Sequence, residues 1–415
     1  MGRRLWLLSA ALLVLVLGAS FAIDGEIRAP SPPTAASETP KRGRALHRES
    51  SSGVDFLATT ITDELEKPWS FAFLPDGDIL LTERAGALKR LDPKTGALSA
   101  ISGLPDVVFA GQGGLFDVAL HPAFPDPAWV YLTYAAPMGE GRSTTRLARA
   151  RLGGDALEQW EILYTAEPAR NSGVHYGGRL LFADEHLYMT VGERGAGDLA
   201  QRLDMDLGKV LRFRSDGTLP EDNPFATTPD ARKAVFTYGH RNPQGLARHP
   251  STGEIWVTEH GPQGGDELNR LEAGANYGWP VITYGEKYGG GRIGEGTAKA
   301  GMAQPVHYYV PSIATGGLGF YRGGPFAAWK GDAFIGALRD RHLNRLAFAP
   351  DGKVTEYRLL ADLRLRIRDV KQGPDGLLYV LAEQGALIRL DPAVGPREAL
   401  RQGSAGINAG ARLRR

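Results

Sequence analysis

The segment YGHRNPQG, residues 238–245, sets His240, Arg241, Asn242 and Gln244 within five positions, bracketed by glycine and interrupted by proline. It is too polar for a core strand and too interrupted for a helix, so its side chains are offered to something outside the core. Three further stretches share this character. RIRD (366–369) spaces Arg366 and Arg368 two apart, on one side of a strand, where they can grip a carboxylate or phosphate bidentately. The same pair is compatible with a solvated strand edge partnered by Asp369. NSGVHYGG (171–178) holds His175 between glycines, just before an apolar strand. A backbone of that kind lets a ligand approach closely, and an imidazole there can serve as a general base or as a structural group. EHGPQGGDE (259–267) offers the Gly261 and Pro262 carbonyls with Asp266, Glu267 and, further on, Tyr277. Hard oxygen donors suit calcium. The spacing is not that of an EF-hand loop, and turn and cap chemistry accounts for the same residues.

These residues need elements to hold them, and the chain supplies a repeat. PWSFAFLPDGDILLTERAGALKRLDP from Pro68, IRDVKQGPDGLLYVLAEQGALIRLDP from Ile367 and the stretch from Asn242 share one internal order. Each runs apolar strand, Pro/Gly turn, apolar strand, glycine-bearing loop, third strand. Asp-Gly between alternating runs is a hairpin signal. Weaker copies start at Gly113, Gly177 and Gly317, giving six units. Period-2 strands at this spacing, with no long helical stripe, predict an all-β, six-bladed β-propeller rather than a sandwich or two β domains. The endings LKRLDP and LIRLDP of the first and last units fit a ring. In such a ring the loop entering each inner strand and the loop joining its middle strands share one face. That face collects Gln112, His175, Arg241, Asn242, Gln244, Arg339, Arg366 and Arg368. Four arginines at one channel mouth call for a multiply anionic occupant.

Composition narrows the classes. The 415 residues carry a net charge of +1, which argues against a nucleic-acid partner. The first 22 residues have a basic start (Arg3, Arg4), an apolar run from Leu5 to Leu17 and small residues around Ala19, Ser20 and Ala22. They predict a signal peptide cleaved after Ala22, hence a periplasmic or secreted protein, with an uncleaved anchor as the alternative. Export without cysteine means neither disulfides nor a lipoprotein anchor. No later segment could span a membrane, and a monomer or homodimer is expected. Residues 23–54 read as a disordered linker, 55–392 as the propeller and 393–415 as a disordered tail. No glycine-rich phosphate loop leads into a helix, and no Gly-x-Ser-x-Gly elbow is present.

From about Phe56 to Pro392 the motifs GQGGLFDVALHP, HYGGRLLF, GKVLRFRSDGTLPEDNPF, YGHRNPQGLA, EHGPQGGDELN, NYGWP, FIGALR and RIRDVKQGPDGLLYVL occur in order. Together they resemble the soluble pyrroloquinoline-quinone-dependent sugar dehydrogenases, the aldose sugar dehydrogenase branch more than the glucose dehydrogenase branch. The resemblance implies a six-bladed propeller that oxidises aldoses at C1 with the quinone and Ca²⁺ and passes electrons to an external acceptor. It implies His175 as the base. It implies that Gln112, Arg241, Asn242, Gln244 and Tyr288 line the quinone, with Ala337, Leu338, Arg339, Arg366, Ile367 and Arg368. It implies Gly261 and Pro262 as carbonyl ligands of the cofactor calcium, and Glu267 and Tyr277 as ligands of a structural calcium. The quinone's three carboxylates would supply the anionic occupant. Three positions depart from the family: Arg339 stands where lysine is common, Val310 where the glucose-oxidising branch has an aromatic residue, and Arg194 where that branch has glutamine. The rival readings are a calcium-dependent propeller lactonase, which needs a carboxylate-dominated metal site, and a non-catalytic sugar- or protein-binding propeller.

Overall fold

The computed structural model describes residues 45–51 and 53–393. The expected signal segment, most of the expected linker and the tail from residue 394 lie outside them. Six antiparallel sheets follow one another along the chain. Their innermost strands are Pro68–Phe73, Leu115–Leu120, Gly177–Ala183, Pro243–Arg248, Thr315–Phe320 and Ile367–Gln372. Neighbouring inner strands touch in order, and the sixth touches the first, so the ring closes as a six-bladed propeller. We number the blades I–VI by these strands. Among the described residues the only helices are short 3₁₀ turns at Gly197–Gln201, Ala327–Trp329 and Ala361–Leu363, and no helix is long and apolar enough to cross a membrane.

Blade VI joins the two ends of the fold. Val54–Thr62 pairs antiparallel with Leu387–Pro392, Phe56 facing Pro392 and Ala58 facing Leu390. Outside it, Ala45–Ser51 adds a fifth strand. This corrects the expected linker, which was to run to Val54. ALHRESS has no apolar alternation, so hydrophobic patterning is blind to it; backbone pairing at a sheet edge and the Leu360 N–H donated to Glu49 Oε2 (2.8 Å) hold it. Apolar side chains fill the gaps between blades. Phe71, Ile79 and Leu81 of blade I, for example, pack on Tyr379, Leu381 and Leu387 of blade VI.

All six inner strands share a local distortion. Each shifts register within its first few residues: Pro68/Ser70, Leu115/Val118, Gly177/Leu180, Pro243/Gly245, Thr315/Leu318 and Ile367/Asp369. A bulge inserts an unpaired residue and re-aims its side chain. Trp69, Phe116, Gln244 and Arg368 stand at or beside these shifts, and all four line the cavity described next.

Candidate active site

The second strand of a blade ends on the face where the inner strand begins. Four blades place a glutamate at that corner: Glu83, Glu193, Glu259 and Glu383. Each reaches across its own blade to the segment entering the inner strand. Glu83 Oε1 accepts the Glu66 N–H at 2.8 Å. Glu193 Oε1 meets His175 Nδ1 at 2.7 Å. Glu259 Oε1 meets His240 Nδ1 at 2.8 Å. Glu383 Oε1 accepts from Arg368 Nη2 at 2.8 Å, and its Oε2 accepts from Arg366 Nε. One repeated carboxylate therefore has four different partners.

The two histidine corners differ in what they leave free. His240 is fully buried, its Nε2 bonds Thr237 Oγ1 (2.9 Å), and its ring stacks on Tyr277. Both of its nitrogens are committed. His175 is 13% exposed beside a Glu193 that is 2% exposed. An ionised carboxylate only accepts, so in the neutral ring Nδ1 carries the proton and Nε2 keeps its lone pair. No described residue bonds Nε2. Gln112 Oε1 accepts the His175 N–H at 2.8 Å. A third histidine, His260, donates from Nε2 to the Thr315 carbonyl at 2.5 Å. Burial, together with the charges of Arg241, Arg368 and His175 and against the Thr315 bond, brings its pKa down to about 3. It is neutral at neutral pH.

A cavity of about 300 Å³ opens next to His175. His175 does not itself line it; the following residues Tyr176 and Gly177 do, as does its partner Gln112. Trp69, Phe116 and Tyr176 give an aromatic wall, and Asn242 and Gln244 add amides. Arg84, Arg366, Arg368 and Glu383 bring three positive charges and one negative, an excess of two. Partial burial would raise the Glu383 pKa, but Arg368 and Arg366 outweigh that and hold it down at about 2. Burial, then the Arg368 charge, lowers the Arg84 guanidinium. The buried Nε of Arg368 has no acceptor. An anion would satisfy that N–H and the charge excess together.

The expected convergence of four arginines is therefore corrected. Only Arg366 and Arg368 of the four line this cavity, and Arg84 is the third cation. Arg339 donates Nη1 to the Ser312 carbonyl at 2.7 Å. Arg241 donates Nη1 to the carbonyls of His260 (3.2 Å) and Gly261 (3.0 Å). Carbonyls turned inward by the corner loops compete for these guanidiniums. Of the other expected lining residues, Leu338 lines the cavity and its carbonyl accepts from Arg366 Nη1 at 2.8 Å. Ala337 packs with Tyr309 and Ile313, Ile367 lies in the core between blades V and VI, and Tyr288 is 73% exposed, away from the lining.

Three of the four expected calcium donors, Gly261, Glu267 and Tyr277, line a second, small void with Arg241, Glu259 and Trp279 among others; Pro262 is not in its lining. The Gly261 carbonyl is shared with Arg241, and no described N–H is donated to the Pro262 carbonyl. Burial first, then the neighbouring Glu259 charge, pushes Glu267 up to about 8. Asn269 donates to Glu267 Oε2 at 3.0 Å, while its own Oδ1 is buried without a partner. Two carboxylates on one void, the buried Glu259 and the half-buried Glu267, fit a cation, which would favour the charged form of Glu267. The Tyr277 hydroxyl is occupied by the Arg270 carbonyl (2.6 Å) and the Glu272 N–H (3.0 Å), leaving its backbone carbonyl as the donor. Among the described residues no group of three or more His, Cys, Asp or Glu could hold a metal by side chains alone. A cation here depends on carbonyls.

A charged plug closes the channel beneath the cavity. Arg179 ion-pairs with Asp369 (3.0 Å) and Asp117 (3.5 Å), and Lys371 reaches both carboxylates. Ser70 Oγ donates to the Asp117 and Asp369 oxygens. Burial alone would raise Asp117; the Arg179 and Lys371 charges, with Ser70 and the Leu180 N–H, hold it below the usual carboxylate range. Arg179 lies over the Trp69 ring and donates to the Gln244 carbonyl, and so supports two lining residues. Its other side faces a cavity of about 1000 Å³ at the opposite mouth. The plug thus separates the two ends.

The chain matches the family model described as Glucose / Sorbosone dehydrogenase over residues 65–389. It is 39% identical to the aldose sugar dehydrogenase YliI of Escherichia coli over 80% of this chain and 92% of that protein. The crystal structure of the soluble aldose sugar dehydrogenase from Escherichia coli in the apo-form superposes with a TM-score of 0.78, covering 81% of this chain and 99% of the other. The PQQ-bound form of the aldose sugar dehydrogenase from Streptomyces coelicolor superposes with a TM-score of 0.67 at 27% identity, covering 80% and 96%. With the fold and the matched span extending across all six blades, the chain belongs to the glucose/sorbosone dehydrogenase family of oxidoreductases.

Proposed function

We propose that the protein oxidises aldose sugars at C1 to the lactone, using pyrroloquinoline quinone and Ca²⁺ and passing electrons to an external acceptor. One observation carries this: an aromatic-walled cavity with two excess positive charges and an unsatisfied Arg368 N–H adjoins a histidine whose Nε2 is free. Arg84, Arg366 and Arg368 would hold the quinone's carboxylates, with Gln112, Asn242 and Gln244 as neutral donors. The Gly261 and Pro262 carbonyls would hold the cofactor calcium once Arg241 yields the Gly261 oxygen. When bound, the quinone supplies a two-electron acceptor for the C1 hydrogen, and the calcium supplies a Lewis acid at its carbonyl.

The chain's own part is proton and position. His175 Nε2 takes the proton of the C1 hydroxyl. Glu193 fixes the tautomer through Nδ1 and stabilises the imidazolium that forms. Trp69, Phe116 and Tyr176 keep water from the reacting side. On the export reading, the reaction takes place in the periplasm or outside the cell.

The test is quinone titration of cofactor-free protein in the presence of Ca²⁺. Arg368→Ala should weaken binding about 30-fold, corresponding to about 2 kcal/mol for a charge-assisted bond in a buried site. Arg366→Ala should do less, because that side chain is 40% exposed and already solvated. Unchanged affinity in both variants would contradict the clamp. Lactone hydrolysis by the quinone-free protein would favour the lactonase reading instead.

A further inference from the structure

The blade III corner contains a residue unused in the chemistry above. Arg194 is 1% exposed, and among the described residues no carboxylate ion-pairs with it. Its guanidinium is taken up by the loop that carries His175. Nε donates to the Val174 carbonyl at 2.9 Å. Nη2 donates to the Ser172 carbonyl and to Ser143 Oγ, and Nη1 donates to the Ser143 carbonyl at 2.8 Å. The cation lies over the Tyr176 ring, 3.5 Å from its centroid. The Arg194 backbone N–H donates to the His175 carbonyl at 3.3 Å. One residue therefore touches positions 172, 174, 175 and 176.

That loop needs holding. His175 has φ +52°, in the left-handed region. For a side chain with a Cβ this costs on the order of 1–3 kcal/mol and persists only where the surroundings over-determine it. The approach is close: a Cβ on Gly192 would stand 2.2 Å from the His175 carbonyl oxygen. Three consecutive corner residues thus divide the work. Gly192 permits the approach, Glu193 holds the imidazole, and Arg194 holds the backbone. Burial lowers the Arg194 pKa to about 10, so it remains a cation at neutral pH. A buried cation bonded only to carbonyls and a hydroxyl is costly unless those groups are fixed, so order in the loop and charge on Arg194 depend on each other.

We propose that Arg194 is a positioning residue for His175, holding residues 172–176 so that the imidazole Nε2 faces the reacting sugar. The proposal rests on the reading of His175 as the base. A base displaced by about 1 Å can lose on the order of 10²-fold in rate. Arg194→Met should therefore lower turnover by about 10- to 100-fold while quinone affinity stays within about twofold. Arg194→Lys, which keeps the charge but reaches fewer carbonyls, should fall between it and the parent.

A double-mutant cycle separates positioning from general loosening. In a His175→Ala background, Arg194→Met should change turnover by less than about twofold, because no base remains to be placed. Amide exchange at residues 174–177 should quicken in cofactor-free Arg194→Met, a readout that needs no catalysis. If the methionine variant does not fold, the lysine variant carries the same cycle. The proposal is overturned if Arg194→Met lowers turnover by its full factor in the His175→Ala background. It is equally overturned if both substitutions leave turnover and exchange at parental values. If His175→Ala alone leaves turnover intact, the base assignment fails, and the exchange rates still decide whether Arg194 holds the loop.

Discussion

His175→Ala lowers turnover by about 10²- to 10⁴-fold, the usual contribution of a positioned general base, while most of the quinone affinity remains. The affinity remains because the arginine clamp stands on blades I and VI, whereas His175 stands on blade III. The loss falls on the chemical step, because the alanine variant has no group there to accept the hydroxyl proton. His240 is the internal control. It occupies the same corner of the next blade with the equivalent glutamate, Glu259, but both ring nitrogens are engaged and the ring is fully buried. His240→Ala should lower the melting temperature and keep most of the turnover. Thermal unfolding and turnover per quinone-loaded site measure the two effects. If His240→Ala abolishes turnover and His175→Ala retains it, the base has been assigned to the wrong blade.

Arg179→Met destabilises the folded protein by about 3–5 kcal/mol, the range for removing one partner of a buried ion network. Asp117 and Asp369 are each 1% exposed. Without Arg179, their two negative charges share only Lys371, which is 30% exposed. The penalty is that of an uncompensated buried charge rather than of a lost contact, so a second change that removes the charge should recover part of it. Arg179→Met with Asp369→Asn is therefore expected to be more stable than Arg179→Met alone. Denaturant midpoints with unchanged slopes give both values. A single substitution within about 1 kcal/mol of the parent would show that the plug is solvated from the opposite mouth and not a buried network.

Much of the ring was legible in the sequence. Pro68, Gly177 and Ile367, read there as starts of repeat units, are the first residues of inner strands. Asp-Gly within Pro-x-Gly turns imposes hairpins locally, and local signals survive into the fold. The strand at 45–51 did not show, because an edge strand held by backbone pairing needs no apolar pattern. Neither did the six bulges, which are register shifts between partners and leave no mark on either strand alone. The site divides in the same way. Arg366 and Arg368 were readable as a pair because strand geometry fixes residues two apart. Arg241 and Arg339 share motifs with the site, yet their side chains go to carbonyls, and the Tyr288 side chain goes to solvent. Glu193 and Glu383 went unnoticed, although TERAG, GERG, TEHGP and AEQG place a glutamate at one position of four repeats. That alignment was available; which partner each glutamate meets is decided across the blade. Arg84 came from a loop whose only signal was its place in the same corner.

In the proposed reaction the cavity turns an aldose into a lactone by removing the C1 hydrogen, with His175 taking the hydroxyl proton. The most direct measurement loads the purified protein with the quinone and Ca²⁺, removes oxygen and every other acceptor, and mixes it rapidly with an aldose carrying hydrogen or deuterium at C1. One lactone should form per loaded site, more slowly from the deuterated sugar, and none from protein lacking the quinone. Lactone formed without the quinone, or none formed with both quinone and Ca²⁺ bound, would contradict the proposed reaction.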